Sequence, residues 1–354
     1  MKEKTELETN DYDVAIVGGG PAGLSAALTL SRAGKRSVVF DAGEPRNARS
    51  RAAHGFLTRD QTSPRDVRTI AREELAHYGL TEFRDESVTA IVERRGGHRV
   101  VGRSSPVDVR FVILALGMVD ELPPLSGIEE AWGRGVIHCP FCQGWERRGR
   151  PWALLALTED DVRVAPQLLG WTQDLTLLVS HLDRAGELSF DAVTAHGVRV
   201  DRRPIVAIDS WVGSDTTRLG FDGGESLTVG ALVVRPRQRH TALVQSLDLD
   251  VASDGRHLCT TADGETSRAG VYAVGDAASG HQAVMAAASS GLITARAVSH
   301  RLTLEWLPST TPLRGVGEAS PARLPDENRT GTRVGDNWWQ PQSMDSIGGI
   351  ATRR

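Results

Sequence analysis

Cysteine and lysine are both scarce: a chain of 354 residues carries three cysteines and three lysines (Lys2, Lys4 and Lys35). Each scarcity excludes something. A structural zinc site takes four ligands, usually two close cysteine pairs, and the third cysteine, Cys259, stands alone in "HLCTTADG", where we expect a buried strand residue. His138 offers a further ligand, but adjacent ligands on one short turn seldom close a tetrahedron, so the metal reading is poor. The positive charge rests on arginine, in a chain of net charge −4. That balance argues against nucleic acid or an anionic membrane surface as partner, and the arginine bias reads as high-GC coding. No apolar run reaches the ~20 residues that span a bilayer. The polar start "MKEKTELETNDYD" has no signal-peptide core. A cytoplasmic protein is expected, where a close cysteine pair means catalysis or metal more often than structure.

What the chain does have is such a pair, in "GVIHCPFCQGWE" (residues 135–146), within a length that suits two domains. Upstream, in "DYDVAIVGGGPAGLSAALTLSRAGKRSVVFDAG", an apolar run from Val14 to Val17 breaks into glycines. An alanine- and leucine-rich helix then runs to Arg32, Gly34 ends it, and "SVVFD" makes a second buried strand. This predicts a βαβ unit on a parallel sheet. Gly18, Gly20 and Gly23 satisfy G-x-G-x-x-G between strand and helix. The first allows the tight turn, the second lets backbone approach a pyrophosphate, and the third allows close helix packing. Asp41 follows about twenty residues on, where a carboxylate binds a ribose hydroxyl.

Further along, "SPRDVRTIAREELAHYG" predicts a helix with a Ser-Pro entry that ends at Gly79, and "VRFVILALG" one buried strand closed by Gly117. After a Pro- and Gly-rich break at "MVDELPPLSGIEEAWG", the strands "PWALLAL" and "LTLLVS" flank the helix-like "DDVRVAPQLLGWT", a second βαβ unit. A strand-rich stretch leads to "GVYAVGDAASGHQAVMAAASSG", read as strand, glycine turn and long helix. Past residue 307 the composition suggests an extended or disordered tail, in which Trp338 and Trp339 either dock or are incidental.

A redox reading suits the cysteines. C-x-x-C at the start of a helix joins two sulfurs in a small ring; the helix field and the flanking residues lower one thiol's pKa, and the thiolate is the attacking species. His138 adds to this if protonated, and Pro140 stiffens the loop.

Taken together, these segments resemble the low-molecular-weight thioredoxin reductase family over about residues 12–305. The resemblance implies an α/β fold of two dinucleotide-binding, Rossmann-like domains. The FAD domain would be discontinuous, 1–121 plus 241–307, with 122–240 inserted and a tail at 308–354. FAD would be held at Gly18, Gly20, Pro21, Ala22, Gly23 and Asp41, at Arg46, Asn47, Val88 and Gly117, and at the second motif. There Asp276 binds the ribityl chain, and His281, Gln282 and Ala283 replace the family's Arg-Gln-Ala. Within the family, "HCPFC", "DELPPLSGIEEAWGRGV", "EPRN" and "HGFLTRD" resemble the branch of dithiol oxidases that close disulfides in natural products of the gliotoxin and holomycin type. Gln143 stands where the reductases have an aspartate that serves as acid. A homodimer is implied by the resemblance.

The inserted domain decides the electron source. After "PWALLAL" no glycine lies between Gly149 and Gly170, and the turn carries Glu159, Asp160 and Asp161 where a pyrophosphate would sit. Only His181 and Arg184 stand near the family's 2′-phosphate pattern. The acids suit either a lost NADPH site or a well-capped helix. The expectation is therefore a dithiol oxidase in which a small dithiol attacks the Cys139–Cys142 disulfide and O2 is the acceptor; the resemblance implies that Cys139 faces the substrate and that Cys142 passes electrons to FAD. His138 or His281 moves protons. An NADPH- or ferredoxin-dependent disulfide reductase is the alternative, and a flavin-bearing protein that sequesters a dithiol is a third reading.

Overall fold

A computed structural model of the chain describes residues 12–182, 185–186, 188–210 and 216–306. The expectations for the tail, Trp338 and Trp339 included, lie outside the described residues, as does Arg184.

Val14–Val17 and Ser37–Phe40 are wholly buried and pair in parallel, with Val14 opposite Ser37. The crossover is the helix Pro21–Arg32. Buried on both faces, such strands read as continuous apolar runs. Phe111–Leu114 pairs with the first strand on its other side, and Val271–Ala273 pairs with Phe111–Leu114. With Thr81–Arg84 at the opposite edge, five parallel strands form the first sheet. A strand more than 150 residues downstream thus completes a sheet begun at Val14.

The expected helix is Pro64–Ala76, and Ser63 Oγ accepts the Asp66 N–H at 3.0 Å. The single strand expected in "VRFVILALG" is instead two. Val107–Val109 belongs to an antiparallel sheet with Ala90–Arg94 and Gly97–Val101, and Phe111–Leu114 to the parallel one. The chain changes sheets at Arg110, whose N–H bonds Asp13 O at 3.0 Å.

A second five-stranded parallel sheet has the order Arg199–Asp201, Leu175–Leu178, Trp152–Leu155, Ala231–Val234, Val136–Ile137. An antiparallel meander of Ile205–Asp209, Thr217–Phe221 and Ser226–Val229 accompanies it. The helix expected over "DDVRVAPQLLGWT" stops at Val164 and continues as 3₁₀ turns over Ala165–Gly170. Pro166, which lacks an N–H, falls within that run. The break at "MVDELPP" is also more ordered than expected. Val119–Glu121 pairs antiparallel with Arg237–Arg239, so the chain leaves and re-enters the first sheet's side on one two-stranded ribbon.

Four apolar clusters make the core. Two draw on residues 12–116 and 243–302; the other two draw on residues 122–234, and no cluster mixes the sets. The long helix Val284–Trp306 lies against Pro21–Arg32 so closely that a Cβ on Gly291 would stand 2.0 Å from Ala22 O. Only glycine permits that approach.

Candidate active site

The glycine turn is shaped by the missing side chains. A Cβ on Gly18 (φ +116°) would lie 2.2 Å from Ala115 O, and one on Gly23 would lie 2.0 Å from Gly18 O. Gly20 differs: nothing lies within 4 Å of its missing Cβ. It caps the helix that begins at Pro21 and Ala22, and no side chain takes the first-turn N–H groups. Open space before uncapped helix N–H groups suits a pyrophosphate.

Asp41 borders this turn, its carboxylate within 2.2 Å of where a Gly19 Cβ would be. Its Oδ1 accepts the Gly43 N–H at 2.9 Å, and its Oδ2 accepts from Arg68 and, at 3.1 Å, from Arg72. Burial pushes this carboxyl upward, but the Gly43 N–H and the two guanidinium groups outweigh it and hold it below its ordinary value. Arg68 and Arg72 were not foreseen, although their i, i+4 spacing on an acid- and arginine-rich helix was a legible sign of one shared face. Arg68 Nε is buried without a hydrogen-bond partner among the described residues. An unpartnered buried donor next to the Asp41 carboxylate is polar lining that a dinucleotide could satisfy. Val88 is buried in the adjoining core, and Gly117 turns the chain with φ +63°. The Asn47 carbonyl accepts the Ser50 N–H at 3.0 Å.

Arg46 is the hub of the second half of the site. Its Nε and Nη2 bind the Asp120 carboxylate at 2.7 and 2.8 Å, a paired geometry that fixes the guanidinium plane. Its Nη1 donates to Gln282 Oε1 at 2.8 Å and to Asp276 Oδ2 at 3.3 Å. Its Nη2 also faces His138 Nδ1 at 3.5 Å. Gln238 Nε2 reaches Asp120 (2.9 Å) and Gln282 (3.1 Å), and Gln282 Nε2 returns a bond to Gln238 Oε1 at 2.7 Å. Thus one strand of the connecting ribbon, the Asp276–Gln282 turn and the segment before Cys139 meet on one arginine, and the ribbon's other strand joins them through Gln238. Burial pushes the Asp276 carboxyl above its ordinary value, with Arg46 opposing. His281 and Ala283 are exposed, and the His281 ring makes no hydrogen bond among the described residues.

Cys139 and Cys142 are joined as a disulfide with Cα atoms 5.3 Å apart. Cys139 caps a helix of only four residues, Pro140–Gln143, and its carbonyl accepts the N–H groups of Cys142 and Gln143, each at 3.2 Å. One turn supplies little of the helix field expected at these sulfurs. Nor is His138 a cation: burial, the Arg46 charge and that of Arg235 push it down to about 4, against the pull of Asp120. Gln143 is held by its Nε2–H to Gly133 O at 2.9 Å. A Cβ on Gly144 would meet Pro140 O, Trp171 and Trp152 within 2.9 Å, so the turn is pressed onto aromatic rings. Phe141, between the cysteines, is 82% exposed with its edge to Trp171. Trp145 is 65% exposed under the Arg148 guanidinium. His54, from the "HGFLTRD" loop, lies 3.6 Å from Glu146 Oε1. Cys259 is exposed and outside any strand, which corrects the buried strand residue expected there. Leu258 takes the buried place beside it.

At the inserted sheet's turn, Asp161 is buried and folded back on its own loop. Its Oδ2 accepts the N–H groups of Leu157 (3.0 Å) and Thr158 (2.9 Å) and the Thr158 hydroxyl (3.0 Å). Its Oδ1 accepts Arg235 Nη1 at 3.0 Å. Glu159 and Asp160 are exposed and pair with Arg163.

A dinucleotide turn on one parallel sheet and a redox-type disulfide on a second define a two-domain disulfide oxidoreductase of the flavoprotein class. The chain belongs to the pyridine nucleotide-disulphide oxidoreductase family, whose model matches residues 12–164, and within it to the thioredoxin-reductase-like enzymes. It is 32% identical over 300 residues to thioredoxin reductase sirT of Leptosphaeria maculans, covering 79% of this chain and 91% of that protein. Among solved structures it is similar to HlmI (32% identity, TM-score 0.76, 83% of this chain and 93% of that one). It is also similar to an oxidoreductase of Agrobacterium tumefaciens (30% identity, TM-score 0.74, 83% and 99%).

Proposed function

We propose that this chain is an FAD-dependent dithiol oxidase that closes an intramolecular disulfide in a small dithiol, with O2 as acceptor and H2O2 as product. The observation that carries the reading is Asp161. In the inserted domain the N–H groups that would cradle a nicotinamide nucleotide's phosphates are occupied by the chain's own carboxylate, and Arg235 is tied to the same group. A phosphate brought there would meet a buried negative charge, and like charges so placed cost several kcal/mol. Electrons then come from a thiol.

The chemistry follows from thiol–disulfide exchange. A substrate thiolate attacks Cys139 Sγ, the Cys139–Cys142 bond breaks, and Cys142 leaves as a thiolate. The substrate's second thiol displaces Cys139 from the mixed disulfide, so the substrate loses two electrons and two protons and the enzyme's cysteines hold the pair. When bound, FAD would supply the two-electron acceptor that restores the disulfide, with dioxygen as the final acceptor and hydrogen peroxide as the product. Gly18, Gly20, Gly23 and Asp41 would hold its pyrophosphate and ribose, and Arg46, Asp276 and Gln282 would line the site of its other half. Exposed Phe141 and Trp145 favour a substrate with an apolar face. We expect the protein to work in the cytoplasm, as a homodimer, without nucleic acid or membrane.

The name of the Leptosphaeria maculans relative, a thioredoxin reductase, favours a second reading, an NADPH-dependent disulfide reductase. One experiment separates them. The purified flavoprotein, without oxygen, is mixed with NADPH and separately with a small dithiol such as dithiothreitol, and the visible flavin band is followed. Bleaching by dithiol alone, with peroxide formed on admitting air, is expected. Bleaching by NADPH would make the protein a reductase.

A further inference from the structure

Most of the polar groups around the cysteine centre have one evident role, but His138 has two possible ones, and Arg46 chooses between them. A neutral imidazole carries its proton on one nitrogen and accepts on the other. His138 Nδ1 faces Arg46 Nη2 at 3.5 Å. A guanidinium only donates, so Nδ1 must present its lone pair there and the ring proton sits on Nε2.

Arg46 cannot turn away, because Asp120 grips it through two nitrogens and Gln282 and Asp276 hold a third. Asp120 is itself 7% exposed and held by Gln238. The charged groups acting on the ring are Arg46, Arg235 and Asp120. Asp120 is bound to Arg46 and Arg235 to Asp161, so neither is free to turn toward the ring. A second proton on Nδ1 would point at a cation. Nε2 makes no hydrogen bond among the described residues, and His138 is the residue before Cys139 in the chain.

We propose that Arg46 is a positioning residue that fixes His138 as the neutral Nε2–H tautomer, so that this ring serves the cysteine centre as a hydrogen-bond donor and not as a proton carrier. The inference rests on the disulfide-exchange reading above for what the donor is for: it steadies the thiolate released when the Cys139–Cys142 bond opens. It excludes His138 as a base, since the only unprotonated nitrogen is the one turned to Arg46.

The test uses the full chain with its bound flavin, labelled with ¹⁵N-histidine. Nitrogen–proton correlation spectra are recorded from pH 5 to 8, and the His138 signals are assigned by their loss in His138→Gln. The expected result is a protonated Nε2 and an unprotonated Nδ1 across the whole range. In Arg46→Met the same ring should titrate inside that range. A wild-type ring that is protonated on Nδ1, or that titrates between pH 6 and 7, overturns the proposal even if Arg46→Met does not fold. Activity gives a second arm with dithiothreitol. Glutamine can accept from Arg46 and donate through its amide, so His138→Gln should keep activity within about tenfold of wild type while His138→Ala loses about a hundredfold. Equal losses in both variants would mean that the ring carries protons. If no variant, wild type included, oxidises the dithiol, the oxidase reading fails while the spectra still decide the tautomer.

Discussion

Replacing Cys142 by serine separates the roles of the two sulfurs. In Cys142→Ser the remaining thiol, Cys139, is the sulfur proposed to meet substrate, and no disulfide is left to attack. Turnover of dithiol should fall on the order of 10³-fold or more, while Cys139 still forms a mixed disulfide with an added aromatic disulfide, seen as a mass increase of the intact protein. Cys139→Ser should fall as far but label much more slowly. Equal labelling rates would reverse the assignment. His138 gives a second prediction at this scale. Its folded-state value of about 4 is below the ordinary 6.5, so between these pH values the unfolded chain binds more protons. Stability is therefore untouched above pH 6.5 and is lost as pH falls towards 4, by an amount on the order of 3 kcal/mol. Urea midpoints at pH 7.5, 5.5 and 4.5 should fall more steeply for wild type than for His138→Gln. Parallel slopes would remove His138 from the account.

At the scale of elements, the short helix Glu159–Val164 depends on one carboxylate for its N-terminus. Asp161→Ala removes the capping box, leaves the Leu157 and Thr158 N–H groups without their acceptor, and takes Arg235 from its partner. The expected cost is about 2 kcal/mol, read as a lowered urea midpoint. The variant should still not be reduced by NADPH, because no glycine lets backbone approach a phosphate between Gly149 and Gly170. Reduction by NADPH in Asp161→Ala would show that the carboxylate alone had closed the site.

Elements also mark what could be read from sequence. The glycine turn was legible because strand, glycines and helix are contiguous, and so was the disulfide turn. The acids at 159–161 were legible as a charged turn and a helix cap, but the tie that fixes Asp161 was not, since the partner is Arg235, 74 residues away. The same holds for Arg46, whose ties to Asp120, His138 and Gln282 span up to 236 residues. Arg68 and Arg72 left only a spacing, and the change of sheet at Arg110 left nothing, because an unbroken apolar run looks the same in one sheet or two.

For the whole molecule, the separation of the four cores has a consequence that can be built. The connecting ribbon sets Glu121 opposite Arg237. A two-residue Asn-Gly turn placed between them would close the ribbon as a hairpin, the connection that such turns favour. The chain so made, lacking 122–236, keeps every strand of the first sheet and both of its apolar clusters. It also keeps Gly18, Gly20, Gly23, Asp41, Arg46, Asp120 and Asp276, but neither active cysteine. The excised 122–236 keeps all five strands of the second sheet and the other two clusters. Each piece therefore retains its own buried apolar surface, the main requirement for folding alone. The hairpin chain should purify yellow, unfold cooperatively in urea and oxidise no dithiol. The excised piece should be colourless and also unfold cooperatively. A colourless hairpin chain with a folded circular dichroism spectrum would mean that the inserted segment helps to hold the flavin, through His138 and its contact with Arg46. An excised piece that fails to fold would mean that the two halves depend on each other across the ribbon, despite sharing no apolar cluster.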